Sequence, residues 1–241
     1  MEILVVDLET TGFDSKTDLI VEIGIVLVDT DTKEIKIVFD KPIKETGFDY
    51  ETHKNSWIFE NTSLTVDEVM CAKPIEDHFN EIQGLFDKYK MTAFNKTFDI
   101  RFLSRCGFKM DDIDCLMRSS TKYSRYVKPD GKKKIPSVEE IYRQFFLTEE
   151  YIEEHRAGQD ALDEAKILLK LVELKNDPTY EIPSPIIVEQ KKKYTVVFPY
   201  GKYKGKKISD IIESDKQYVI WATKNFQKFE LSPDIIDLLM N

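Results

Sequence analysis

The sequence predicts an α/β domain, a mixed five-stranded sheet flanked by helices, followed by a small α+β module. Three observations predict it. Strand-like and helix-like stretches run in the order β-β-β-α-β-α-β-α-α up to about residue 175, the order of a mixed sheet with helices packed on it. The opening run ILVVDL, Ile3–Leu8, is short, apolar and β-branched, as a buried central strand would be. After Asn176 the character changes: DPTYEIPSPIIVEQKKK holds three prolines and a run of lysines, the composition of an extended linker.

Each element has its own reason. Leu19–Val28 and Glu34–Phe39 flank the polar stretch Asp29–Lys33 and suggest a hairpin beside the first strand. An irregular stretch follows to about residue 63. Pro74 then opens a helical pattern with Ile75, Phe79, Ile82 and Phe86 on one face. A fourth strand, Met91–Phe94, leads into Asn95 and a helix carrying Ile100, Leu103 and Cys106, and a fifth is expected near Ile113–Met117. Ser119–Lys134 is polar and basic and reads as a mobile loop. Ser137 and Glu140 have the spacing of a capping box for the next helix. The last long helix, about Gly158–Lys175, places Ala161, Ala165, Leu168 and Val172 on its inner stripe. The expected division is therefore a domain over 1–176, a linker over 177–193 and a module over 194–241 that starts with the strand-like TVVF.

Composition narrows the function classes. With 41% hydrophobic and 33% charged residues the mixture is that of a soluble globular chain, and no apolar run approaches the roughly 20 residues that span a bilayer. The N-terminal MEILVVDLE lacks a basic leader and an apolar core, so the expected location is the cytoplasm. Cys71, Cys106 and Cys115 are odd in number, show no CxxC spacing and read as reduced. Three histidines without a Cys/His cluster argue against zinc. The net charge of −9 opposes nucleic-acid binding unless some acids hold cations. The basic charge is also unevenly placed, with seven lysines and no acid between residues 191 and 207.

Three constellations carry chemistry. In V-V-D-L-E-T-T-G, Asp7 and Glu9 are two apart in a strand and share a face, where adjacent carboxylates repel unless a cation joins them. Hard oxygen ligands of this kind suit Mg²⁺ or Mn²⁺. Taken alone, the pair could equally be a strand end entering a turn. In A-F-N-K-T-F-D, Asp99 lies at a helix start, where the dipole favours a carboxylate in any case. In E-H-R-A-G-Q-D-A-L-D-E-A, Asp160 faces inward beside Ala161 and Ala165, costly for a charge without a partner. Asp163 and Glu164 read as solvated. His155 precedes the helix, with an ordinary pKa suited to proton transfer.

Taken in order, DxETTG, N-x-x-x-D and H-x-x-x-x-D resemble the DEDDh branch of the DnaQ-like 3′–5′ exonucleases, over roughly residues 1–175. That resemblance implies a ribonuclease-H-like fold and two-metal phosphodiester hydrolysis with two Mg²⁺ (or Mn²⁺). It implies that Asp7, Glu9 and Asp160 hold the metal that activates water, that Asp7 bridges to a second with Asp99, and that His155 is the general base. Thr10, Thr11, Phe13 and Asn95 would lie near the terminal nucleotide. F-P-Y-G-K-Y-K-G-K-K and the Trp221 helix resemble the C-terminal domain of exodeoxyribonuclease X-like proteins. There Tyr200, Lys202, Tyr203 and Lys204 alternate stacking surface with phosphate charge. The expected partner is nucleic acid, DNA 3′ ends, with RNA the alternative. No membrane is expected, and no protein partner is identified. The rival readings are an RNA-trimming exonuclease, a polymerase proofreading subunit, and a non-catalytic nucleic-acid-binding adaptor.

Overall fold

Strand alternation organises the first unit of the computed structural model, which describes residues 1–188, 195–198, 201–226, 229, 231–232, 235–236 and 239. Two units are distinguished, Met1–Val188 and Glu189–Asn241. Strand β1 (Glu2–Thr10) pairs antiparallel with β2 (Ile20–Asp29), and β2 with β3 (Ile35–Pro42). Short helices α1 (Tyr50–His53), α2 (Trp57–Asn61) and α3 (Val66–Cys71) fill the stretch that reads as irregular. Helix α4 (Ile75–Lys88) leads to β4 (Lys90–Thr92), which lies parallel beside β1 and completes the order β3-β2-β1-β4. Helices α5 (Lys96–Arg105), α6 (Leu116–Tyr123), α7 (Val138–Phe146) and α8 (Ala157–Lys175) follow.

The two parities of β1 define two cores. Ile3 and Val5 join Val26 and Val28 against Ile141 of α7 and Ala161, Ala165 and Leu168 of α8. Leu4, Val6 and Leu8 join Ile23 and Ile25 against Ile82 of α4 and Phe102 and Leu103 of α5. Asp7 and Glu9 continue the first parity, so their side chains lie on the α8 side of the sheet.

The sheet has four strands, not five. The stretch expected to form a fifth makes only a single parallel bridge, Met91 to Asp112, held by Met91 N–H to Asp111 and Ile113 N–H to Met91, each 2.9 Å. Asp111, Asp112 and Asp114 surround one isoleucine, a poor strand composition. The carbonyls of Ala93 and Phe94, which might have extended the ladder, are taken by the N–H groups of Leu116 and Met117 at the start of α6.

The basic stretch 119–134 is not one loop either. It ends α6, forms the short strand β5 (Tyr126–Val127) and closes a turn in which Gly131, at φ +78, donates to Lys128. Part of the expected linker is strand β6 (Ile186–Ile187), parallel to β5. In the second unit, helix α9 (Ile208–Asn225) breaks at Asp215, whose carboxylate caps the second half through Tyr218 N–H at 3.2 Å. Phe198, Ile208, Ile211, Val219, Ala222, Phe229 and Leu231 form its core.

Candidate active site

The end of β1, the first turn of α5 and the first turns of α8 bring the carboxylates together. A cavity of about 170 Å³ is lined by Asp7, Glu9, Thr10, Thr11, Phe13, His155 and Asp160. Ligand atoms of Glu9, His155 and Asp160 all lie within 4.8 Å of one another. Asp7 and Glu9 keep part of their surface open to the cavity, while Asp99 and Asp160 are buried at 3% and 1% exposure.

The close approach of α8 to β2 depends on Gly24, the register partner of Asp7. A Cβ there would collide with the backbone of Ala157. Glu22, opposite Glu9 in register, pins the chain just before α8. It accepts the Arg156 guanidinium at 2.6 Å and the Ala157 N–H at 2.9 Å. His155, one residue earlier, has a left-handed backbone at φ +54 and meets Trp57 edge to face, centroids 5.2 Å apart.

Electrostatically the cluster is unbalanced. Burial, then the charges of Glu164, Glu9, Asp99 and Asp160, holds Asp7 well above the usual carboxylate range. Burial, then Asp160 and Glu22, pushes Glu9 up to about 9. Burial, then Glu153 and Asp163, pushes Asp160 up to about 8, and burial alone takes Asp99 to about 7. Among the described residues, the buried Oδ1 of Asp160 has no hydrogen-bond partner. A set of carboxylate oxygens, repelling each other and holding an unpartnered oxygen, fits a hard divalent cation. Burial lowers the His155 pKa below its ordinary 6.5, which favours the neutral imidazole at pH 7.

The other expected site residues are placed unevenly. The Thr10 hydroxyl donates to Gly12 O at 2.6 Å and that of Thr11 accepts from Leu19 N–H at 2.9 Å, so both also build the turn after β1. Phe13 is 92% exposed, edge-on to Phe98 at 6.5 Å. Asn95 is exposed at the start of α5 and is not among the residues lining the cavity. In the second unit, the Tyr203 ring packs with Phe198 and Tyr218, and its hydroxyl donates to Asp215 at 2.8 Å. Lys202 pairs with the same carboxylate at 3.0 Å, whereas Lys204 is exposed. Tyr200, like Lys191, Lys192, Lys193 and Tyr194, lies outside the described residues.

Sequence reasoning missed Trp57, Phe98 and Glu153, which also line the cavity. It also misread two acids of α8. Asp163 and Glu164 are buried, at 5% and 2% exposure, and Glu164 accepts the Phe94 N–H at 2.9 Å. Burial, then Asp99, raises the Glu164 pKa well above the usual range. A signal was available: Glu164 stands four residues after Asp160, on the same helical face.

Both units are similar to known proteins. A family model described as exonuclease matches residues 4–168, and one described as exodeoxyribonuclease X-like C-terminal matches 198–227. PolC-type DNA polymerase III of Caldanaerobacter subterraneus subsp. tengcongensis is 28% identical over 174 residues, and that of Clostridium perfringens 29% over 169. These regions cover 71% and 69% of this chain but only 12% and 11% of the polymerases, so the chain spans about an eighth of their length or less. The nuclease domain of 3′hExo, a DEDDh family member bound to rAMP, superposes with TM-score 0.53 at 16% identity, over 77% of this chain and 97% of that one. Exonuclease I of E. coli with a dA16 oligonucleotide gives 0.52 at 15%, over 72% and 41%. The architecture is therefore ribonuclease-H-like. With the exonuclease model spanning residues 4–168 of 241, the chain belongs to the exonuclease family.

Proposed function

We propose that this chain is a metal-dependent 3′–5′ exonuclease that hydrolyses phosphodiester bonds at DNA 3′ ends and releases nucleoside monophosphates. The observation that carries the reading is the convergence of Asp7, Glu9, His155 and Asp160 on one cavity, with an unpartnered buried oxygen on Asp160. Asp7, Glu9 and Asp160 would hold one Mg²⁺ or Mn²⁺, and Asp7 with Asp99 a second. Such a pair supplies charge stabilisation to the entering and leaving oxygens and acidifies bound water.

The chain's own residues do the rest. His155, neutral and at the cavity wall, takes the proton as the water oxygen attacks phosphorus and the P–O3′ bond breaks. Trp57 and Phe13, exposed aromatics on the wall, and Phe98 beside them give flat faces for the terminal base. Thr10 and Thr11 shape the turn that carries Phe13. Glu164 fixes the end of β4 through Phe94. The second unit adds Lys204 as exposed phosphate charge, and Lys202 and Tyr203 act there through their shared contact with Asp215.

The test is purified protein with Mn²⁺ or Mg²⁺ on 5′-labelled single-stranded DNA, duplex DNA and RNA. A ladder of shortening DNA, abolished by EDTA, is expected. Immediate release of a labelled mononucleotide shows the opposite polarity, and a clear preference for RNA replaces the DNA reading by the RNA-trimming one. The likeness to PolC-type polymerases favours proofreading as a second reading. Preferential removal of a mismatched 3′ terminus would support it.

A further inference from the structure

A second cavity, of about 570 Å³, lies within the first unit where α5 and α6 begin against the C-terminal half of α8. Its size falls within the roughly 300–1,000 Å³ of small-ligand pockets. Asp160 and Lys175 lie at opposite ends of α8, fifteen residues and roughly 22 Å apart along the axis. The carboxylate cluster is at one end, and this cavity reaches the other.

Its floor is aliphatic, built from Leu116, Leu168 and Leu171. Its rim is cationic. Arg118, Lys122 and Lys175 line it, all three are exposed, and none forms an ion pair among the described residues. Asp114 also reaches the wall, and Lys96 there is taken by Asp112, so the excess on the rim is positive. On a chain of net charge −9, this is a local basic frame around an apolar floor.

We propose that the cavity is a docking site for a partner protein's acidic segment bearing one bulky apolar side chain. The apolar side chain is anchored on the leucine floor, and carboxylates on either side meet Arg118, Lys122 and Lys175. An aliphatic floor suits a peptide anchor better than a nucleobase, which stacks on exposed aromatic faces. Tyr123, the aromatic residue on the wall, is half-buried and packed edge-on against Tyr180 at 6.1 Å. The site stands independently of which nucleic acid the carboxylate cluster cleaves.

The experiment uses the full chain and a fluorescein-labelled peptide of eight aspartates around one central phenylalanine, read by anisotropy. Saturable binding is expected, weakened at least tenfold when the phenylalanine is replaced by serine. The double variant Arg118→Glu, Lys122→Glu, at two exposed positions, should weaken it at least tenfold and leave the cleavage rate of a short oligonucleotide unchanged. Hydrogen exchange in the wild type with saturating peptide should slow over 116–123 and 168–175 and stay unchanged over 5–11. No binding, equal binding of the serine peptide, or full affinity in the double variant overturns the proposal. So does competition by a labelled 12-nucleotide strand that itself loses affinity in the variant, which assigns the cavity to nucleic acid. Self-association that weakens in the variant assigns it instead to a second copy of the chain.

Discussion

Glu9 and Glu22 face each other across β1 and β2, the first half-buried and the second buried, and their surroundings are opposite. Glu22 is 1% exposed and fully answered, by the Arg156 guanidinium and the Ala157 N–H. Glu9 has mainly carboxylates for company, and its pKa is pushed up to about 9. The first arrangement is structural, a buried charge with its counter-charge in the chain. The second leaves the counter-charge to come from outside. Neighbouring positions on one sheet thus separate a residue that holds the loop of His155 from one set among repelling carboxylates.

That contrast sets the expected effects. The largest belongs to Asp7. Asp7→Asn should cut turnover by orders of magnitude while the metal-free protein melts no lower than wild type, because one of several repelling charges is gone. Full activity in Asp7→Asn would end the metal reading. His155→Ala should lower kcat by roughly 10²–10⁴-fold and leave Mn²⁺ affinity, measured by calorimetry, unchanged. Weak metal binding with intact chemistry would contradict its role as base.

Glu22→Ala should behave the opposite way to Asp7→Asn. It strands Arg156 and the Ala157 N–H, and should cost about 3 kcal/mol, the lower end for a broken buried pair because Arg156 is 29% exposed. Urea unfolding measures it, and a variant as stable as wild type would erase the distinction drawn here. A fourth expectation concerns pH. Glu9 and Asp160 ionise at about 9 and about 8 when folded, against ordinary values of 4.5 and 3.8. The folded chain therefore holds more protons than the unfolded chain between those limits. The stability this gives the metal-free protein is full below about pH 4 and is lost as pH rises toward 9. Mn²⁺ should accordingly raise Tm more at pH 8 than at pH 5, and an equal rise at both would contradict the unbalanced cluster. The smallest effect belongs to the second unit. Lys204→Glu should raise KM on long single strands severalfold and flatten the salt dependence of binding, leaving kcat on short ones alone.

Much of this was legible in the sequence, for stateable reasons. Strand periodicity is two, so Asp7 and Glu9 had to share a face, and the parity of Ile3 and Val5 decided which one. Asp160 was legible from the alanines beside it. Glu164 was legible only from its spacing of four to Asp160, and a single inner stripe missed it because α8 packs against β1, β2, β3, α6 and α7 and buries a wider arc. Glu22 was missed altogether, because its partner Arg156 stands 134 residues away. Trp57 reaches the cavity only through tertiary packing of a short helix in an irregular stretch. The fifth strand failed because a short apolar stretch among three aspartates could not show that α6 would take the carbonyls of Ala93 and Phe94.

The backbone of His155 has a consequence for how this protein could be hardened. At φ +54 it occupies a region that costs a β-carbon-bearing residue energy and costs glycine almost none. Asparagine, too, is at home there. Replacement by glycine or asparagine should therefore melt above the alanine variant, although all three lack an imidazole. A selection for heat resistance alone would drift toward those two residues at position 155 and discard the chemistry on the way. Activity and durability compete here through one torsion angle, so any stabilised form must gain its margin at other positions.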